Sequence, residues 1–239
     1  MRIKINFTKN ITPVKNNNLP DIMYYIHTKC LGKNNKYHGS KNKDYSISQL
    51  YGGKLDIVNN VLNFNNGSYI IISSQNEEFL RNIIKNIYNE NCNELFNGMM
   101  FDKIDYVFED FYNGWNYFST LSPFIIKKRG EIKEGESKFY TLNDNNFSEI
   151  VTEHTKNKLS KINSNLKLND FKITINNHPK HKVKKVEYNN IKNQANQCQI
   201  NIFCNKNVAE LIYNLGIGQS TGCGFGTIYK TENHSKYRI

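Results

Sequence analysis

The sequence predicts an α+β protein that runs through the element order β-α-β-β-α-β twice. Three observations lead there. Short runs alternate apolar and polar residues, as half-buried strands do. Between them lie stretches with apolar residues at helical spacing. A turn-rich segment, Asp110 to Trp115 with Asn113-Gly114 at its centre, divides the 239 residues into halves of similar element order. This is the split βαβ, or ferredoxin-like, plan written in tandem. The expected units are residues 1–114 and 115–239. The halves share element order but no visible sequence repeat.

In the first half, Ile3, Ile5 and Phe7 alternate with Arg2, Lys4 and Asn6 as a strand, not as a secretion signal. A helix is expected from about Pro20 to Leu31, with Ile22, Ile26 and Cys30 on one face and Gly32 after it. A polar connection, 33–44, leads to a strand over Tyr45–Tyr51. Val61–Phe64 and Tyr69–Ile72 flank Asn66-Gly67, which predicts a two-residue hairpin. Ser74-Gln75-Asn76-Glu77 reads as a capping box opening a helix whose buried stripe is Phe79, Leu80, Ile83, Ile84 and Ile87. A strand follows over about Met99–Phe111.

The second half opens with a strand expected over Tyr117–Ile126, which contains Ser122-Pro123. A helix covers about 145–163. Phe171-Ile173-Ile175, Val183-Val186-Tyr188 and Cys198-Ile200-Ile202-Cys204 alternate as strands. The last helix starts at a capping box, Asn207-Val208-Ala209-Glu210, carries Val208, Leu211, Ile212 and Leu215 on one side, and ends at Gly216, a left-handed cap. Thr227–Tyr229 closes the chain as a strand.

Composition narrows the function. Formal net charge is +11, which favours a polyanionic partner, nucleic acid first. Five cysteines without Cys-x-x-Cys spacing fit reduced thiols in the cytoplasm, not a disulfide framework or a zinc site. No apolar run is long enough for a membrane span. No histidine, cysteine or carboxylate spacing suggests a metal. Oligomeric state is open between monomer and homodimer.

Five of the fourteen glycines fall in one loop: Gly216-x-Gly218, five residues, Gly224-x-Gly226, with Gly222 inside. Glycines admit positive φ and close backbone approach, and a run of exposed N–H groups would make an anion site. A dinucleotide fingerprint runs from strand to helix, whereas this loop runs from helix to strand, and no Gly-Lys-Ser/Thr is present. A second basic segment is His178-Pro179-Lys180-His181-Lys182-Val183-Lys184-Lys185, a candidate grip on a phosphate backbone. Between Tyr37 and Tyr45, His38 lies near Lys41 and Lys43, a histidine able to move protons beside compact cations. His154 reads as structural.

The loop Gly216-Ile217-Gly218, five residues, Gly224-Phe225-Gly226, following a helix, resembles the signature of the CRISPR-associated precursor-RNA endoribonucleases, the Cas six family. Tyr45-Ser46-Ile47-Ser48 and Thr120-Leu121-Ser122-Pro123-Phe124 resemble two further segments of that family more loosely. The resemblance implies tandem ferredoxin-like domains and cleavage of the repeat in a precursor transcript, with no metal and no organic cofactor, to release guide RNAs. Counting back from Tyr45, His38 and Lys43 fall on the family's histidine and lysine; Lys41 competes with Lys43. The third position, a tyrosine on the first helix in the family, falls at about His27, with Tyr25 two residues away and Tyr24 beside it. RNA contact is expected from Gly216, Gly218, Ser220, Gly222, Gly224 and Gly226, and from Lys180, Lys182, Lys184 and Lys185. A CRISPR effector complex is a further partner the resemblance allows. The wider superfamily also contains subunits that bind RNA without cutting it, which is the alternative reading.

Overall fold

The computed structural model describes residues 1–15, 28, 44–89, 96–128, 130, 138–176, 178–188 and 191–232. The predicted helix over 20–31 and the segment carrying His27, Tyr24, Tyr25, His38, Lys41 and Lys43 lie outside the described residues, apart from Thr28. Cys30 and Cys92 lie outside them too.

The first unit is a four-stranded antiparallel sheet made of β1 (Arg2–Phe7), β3 (Tyr45–Ile47), β6 (Ser68–Ser74) and β7 (Phe101–Tyr106), in the order β3-β6-β1-β7. Alternation along β1 sends Ile3, Ile5 and Phe7 to one face, where α1 (Glu77–Asn89) covers them with Phe79, Leu80, Ile83 and Ile87. Asn76 caps this helix through Oδ1, which accepts the Phe79 N–H at 3.1 Å; the expected cap, Ser74, instead accepts the Asn76 N–H. β2 (Val14–Lys15), β4 (Lys54–Asp56) and β5 (Val61–Asn63) form a small separate sheet.

That sheet corrects one expectation. Asn66-Gly67 makes a turn, with Gly67 donating to Phe64 O at 3.0 Å, but β5 and β6 do not pair. Both edges of β6 are already taken, by β1 and β3, so β5 pairs with β2 and β4 instead. Gly67 sits at φ +80°, and a Cβ there would lie 2.6 Å from Phe7 O, so the turn belongs to the sheet crossing.

The second unit repeats the plan. β8 (Gly114–Thr120), β11 (Lys172–Thr174), β14 (Gln199–Cys204) and β15 (Ile228–Lys230) form an antiparallel sheet in the order β11-β14-β8-β15. Each unit numbers its own strands first to fourth in chain order. The first sheet reads second-third-first-fourth, and so does the second. The helices α2 (Phe147–Ile162) and α3 (Lys206–Leu215) cover one face and bury Phe118, Ile200, Ile202, Val151, Leu159, Val208 and Ile212.

Three details differ from expectation. The strand expected over 117–126 stops at Thr120; Pro123 lacks an N–H, and the N–H groups of Leu121 and Ser122 turn aside to Thr227 O. The chain resumes as β9 (Ile126–Lys127), paired with β10 (Phe139–Tyr140). A strand without apolar alternation, β13 (Ile191–Gln197), pairs with β12 (Lys182–Tyr188) as a long hairpin. The cap of α3 is Asn205, whose Oδ1 accepts the Val208 N–H at 2.9 Å, two residues before the expected Asn207.

The units meet through the uncovered face of the first sheet. Arg2 and Ser46 sit on it, opposite Ser73 in register. Arg2 is fully buried and donates to Ile228 O at 2.6 Å and Tyr213 O at 2.5 Å, its guanidinium 3.4 Å from the centre of the Tyr213 ring. Ser46 donates to Asn214 O at 3.3 Å, and Ser122 Oγ accepts the Gln49 N–H at 2.9 Å. Tyr51 donates its hydroxyl to Leu121 O.

Candidate functional site

The glycine-rich loop starts where α3 ends. Gly216, at φ +69°, donates its N–H to Ile212 O at 2.8 Å and turns the chain out of the helix. The loop is closed at its neck by Ile217 N–H donating to Gly226 O at 2.8 Å. The fit is so close there that a Cβ on Gly226 would lie 1.9 Å from Ile217 O. The outgoing limb runs along residues 125–127: Gln219 N–H donates to Ile125 O at 2.9 Å, and its Oε1 accepts the Lys127 N–H at 3.1 Å. Ser220 is in the left-handed region at φ +57°, and a short 3-10 turn, Thr221–Cys223, follows.

That turn docks on β3. Thr221 Oγ1 donates to Tyr45 O at 2.9 Å, and a Cβ on Gly222 would strike the Tyr45 ring at 2.9 Å. All five glycines are buried, so they do not present the run of exposed N–H groups expected of an anion nest. What the loop exposes is Ser220, flanked by half-buried Gln219 and Cys223.

A cleft of about 450 Å³ opens between the loop, β9 and α2. Its walls include Lys127, Tyr140, His154, Lys158, Lys161, Gln219 and Ser220 and, among the described residues, no carboxylate. Lys158 as a residue is half-buried, but its ammonium is drawn inward, donating to Leu215 O at 2.9 Å and Gly216 O at 3.1 Å. It thereby caps the carbonyl end of α3, where a cation is favoured. Burial nevertheless pushes its pKa down to about 7. His154, read as structural from its place on the helix, reaches the cleft wall half-buried.

The basic segment occupies the turn before β12 and the strand itself. Lys182 and Lys184 share one face with Val186, while Lys185 points to the other. Val186 and Ala195 pack in a small cluster with Phe225 and Cys223 of the loop, which brings the Lys182–Lys184 face to the loop side. Burial, and then Lys182, lower the pKa of Lys184. His181 accepts the Gln199 N–H through Nε2 at 2.9 Å, so its role here is structural; Lys180 is exposed in the turn.

The structure thus brings the loop, β3, the hairpin and the α2 cleft together. Lys158 and Arg2 escaped sequence reading because their partners are backbone carbonyls distant in sequence. Among the described residues, no group of three or more metal-ligating side chains is present, and no helix is long and apolar enough to cross a membrane.

Residues 108–229 match the family model described as CRISPR associated protein Cas6, C-terminal. No curated protein matches the chain. Among solved structures, one described as CRISPR associated protein Cas6 superposes with a TM-score of 0.77 at 21% identity, covering 97% of this chain and 99% of that one. A Cas6-related protein from Pyrococcus furiosus gives 0.77 at 18% identity, covering 98% and 99%. A RAMP protein described as binding different RNA substrates gives 0.78 at 18% identity, covering 97% and 100%. These likenesses show a shared fold over nearly the full length.

Proposed function

The chain belongs to the Cas6 family of CRISPR-associated proteins, and from that premise we propose that it binds the repeat RNA of a CRISPR transcript and cuts it without a metal. The observation that supports this best is the docking of the glycine-rich loop on Tyr45, two residues after Lys43. The loop of the second unit thus docks on the strand that follows the His38–Lys43 segment in the sequence; that segment itself lies outside the described residues.

The chemistry uses a nucleophile that RNA supplies. A base, His38 or His27, takes the proton of the ribose 2′-OH, and O2′ attacks the adjacent phosphorus. Lys43, or Lys41, offsets the charge on the phosphate oxygens. The bond to the 5′-oxygen breaks as an acid protonates it; the second histidine or Tyr25 is suited to that step. The products are a 2′,3′-cyclic phosphate and a 5′-hydroxyl. Ser220 at the loop tip and the lysines on the loop side of the hairpin would hold the backbone. Position in a precursor transcript, cytoplasmic location and delivery to an effector complex follow from the same family reading.

The test uses the host's repeat RNA with the full chain. Cleavage should continue in excess EDTA and stop when the nucleotide 5′ of the cut carries a 2′-deoxy sugar, with binding retained. His38→Ala should slow cleavage by about 10²–10⁴-fold, the usual contribution of a positioned acid or base, and leave affinity nearly unchanged. A 5′-phosphate product, or inhibition by EDTA, would defeat the mechanism. Binding without any cleavage by the wild type would leave an RNA-binding subunit.

A further inference from the structure

The second sheet has a face its helices do not cover. Strand alternation sends Phe118, Ile173, Ile200, Ile202 and Ile228 to the helical side. On the other side Trp115 and Phe203 stand directly opposite each other on the two central strands. Their rings meet edge to face, centroids 5.3 Å apart at 66°. Both remain open to solvent, Trp115 at 42% and Phe203 at 37%, and Tyr229 on the edge strand is 43% exposed. Large aromatics left in this state on a sheet, with a core only one residue away in the alternation, indicate a surface kept for a partner.

The surroundings say which partner. Lys172 is paired with Phe203 and exposed beside it. Gln199 and Asn201 lie along the same face of β14, half-buried, with amides able to read base edges. The four strands contain no aspartate or glutamate. Strands that present aromatic planes, amides and lysine and carry no carboxylate are complementary to unpaired nucleic-acid bases and the phosphates between them. Four-stranded sheets of this topology stack bases on aromatics of their open face.

We propose that the open face of the second sheet is a stacking platform for single-stranded RNA, with Trp115 and Phe203 as the base seats. This deepens the RNA-binding reading and rests on it. It assigns base contact to a surface other than the glycine-rich loop. The loop and the hairpin lysines then contact backbone, and the platform holds an unpaired stretch of the same RNA.

Trp115 is the chain's single tryptophan, so its fluorescence reports this surface alone. Titrating synthetic single-stranded repeat RNA into the full chain should quench Trp115 emission, saturating at the same concentration as filter binding. Base–aromatic stacking is worth about 1–3 kcal/mol per base, so Trp115→Ala or Phe203→Ala should weaken binding about 5- to 150-fold. The salt slope should be unchanged, because no phosphate contact is lost. Trp115→Phe should restore most of the affinity. Abasic sites in the RNA should weaken the wild type but add little to the loss in Trp115→Ala. If RNA binds with unchanged emission and the alanine variants bind as tightly as wild type, the platform is wrong while the RNA reading stands. If the wild type binds no RNA, both fall. If Trp115→Ala leaves RNA affinity intact but alters the oligomeric state in sedimentation, the face is a protein interface and the proposal is overturned.

Discussion

Lys158 shows how one residue couples the candidate site to pH. Its ammonium holds the last carbonyls of α3 and faces the cleft beside the loop. With a folded pKa of about 7 against an ordinary 10.5, the unfolded chain carries a proton that the folded chain lacks between those values. The stability this contributes is present in full above 10.5 and is lost as pH falls to about 7. Raising pH from 7 to 9 should therefore stabilise the wild type relative to Lys158→Met, in which the linkage is absent. Melting temperatures of the two proteins at pH 6, 7, 8 and 9 check this; parallel curves would show that Lys158 keeps its proton throughout. Nothing in the sequence marks Lys158 among its helix neighbours, because its partners lie 57 and 58 residues away. The glycines were legible as a cluster but not in their roles. Gly222 is required by the ring of Tyr45, and Gly226 by a carbonyl across the loop neck. Such contacts depend on the closed fold and leave no local signal.

At the scale of elements, strands and helices with strong periodicity were readable, and those held by pairing alone were not. The alternation of β1 and β14 and the stripe of α1 are local signals of burial. β13, Ile191–Gln197, is polar at most positions and becomes a strand only because β12 pairs with it. The turn at Gly67 was legible, while the partner of β5 was decided by which edges of β6 were already occupied. The β12–β13 hairpin also sorts its lysines, Lys182 and Lys184 toward the loop and Lys185 away. An RNA backbone touching the loop would meet the first pair. Replacing Lys182 and Lys184 with Ala should lower the slope of log affinity against log salt by about 1.4, or about 0.7 for each lost single-strand contact. Lys185→Ala should change it by less than about 0.7. An unchanged slope in the double variant would leave these lysines as a solvated face.

At the scale of the whole molecule, two sheets of identical order are joined through a charge that, among the described residues, makes no ion pair. Ile228 O and Tyr213 O accept from the guanidinium of Arg2, and the Tyr213 face lies 3.4 Å from its carbon. Burial lowers its pKa to about 10, which leaves it charged at neutral pH. The two carbonyls belong to α3 and β15, the elements on either side of the glycine-rich loop. Arg2 therefore ties the first strand of one unit to both flanks of the loop in the other. Arg2→Ala would leave both carbonyls without their donor, at about 1–3 kcal/mol each, and would open space under Tyr213. The expected loss is about 2–5 kcal/mol, moderated because a buried charge is also removed. Denaturant unfolding can follow it with two signals, far-UV circular dichroism for both units and Trp115 fluorescence for the second. In the wild type the two curves should coincide, since a tightly joined pair unfolds together. In Arg2→Ala they should shift to lower denaturant and separate, as the units lose their shared anchor. A variant whose two curves stay coincident at the wild-type midpoint would show that Ser46, Gln49, Tyr51 and Thr221 suffice to join the units, and that Arg2 is not the anchor.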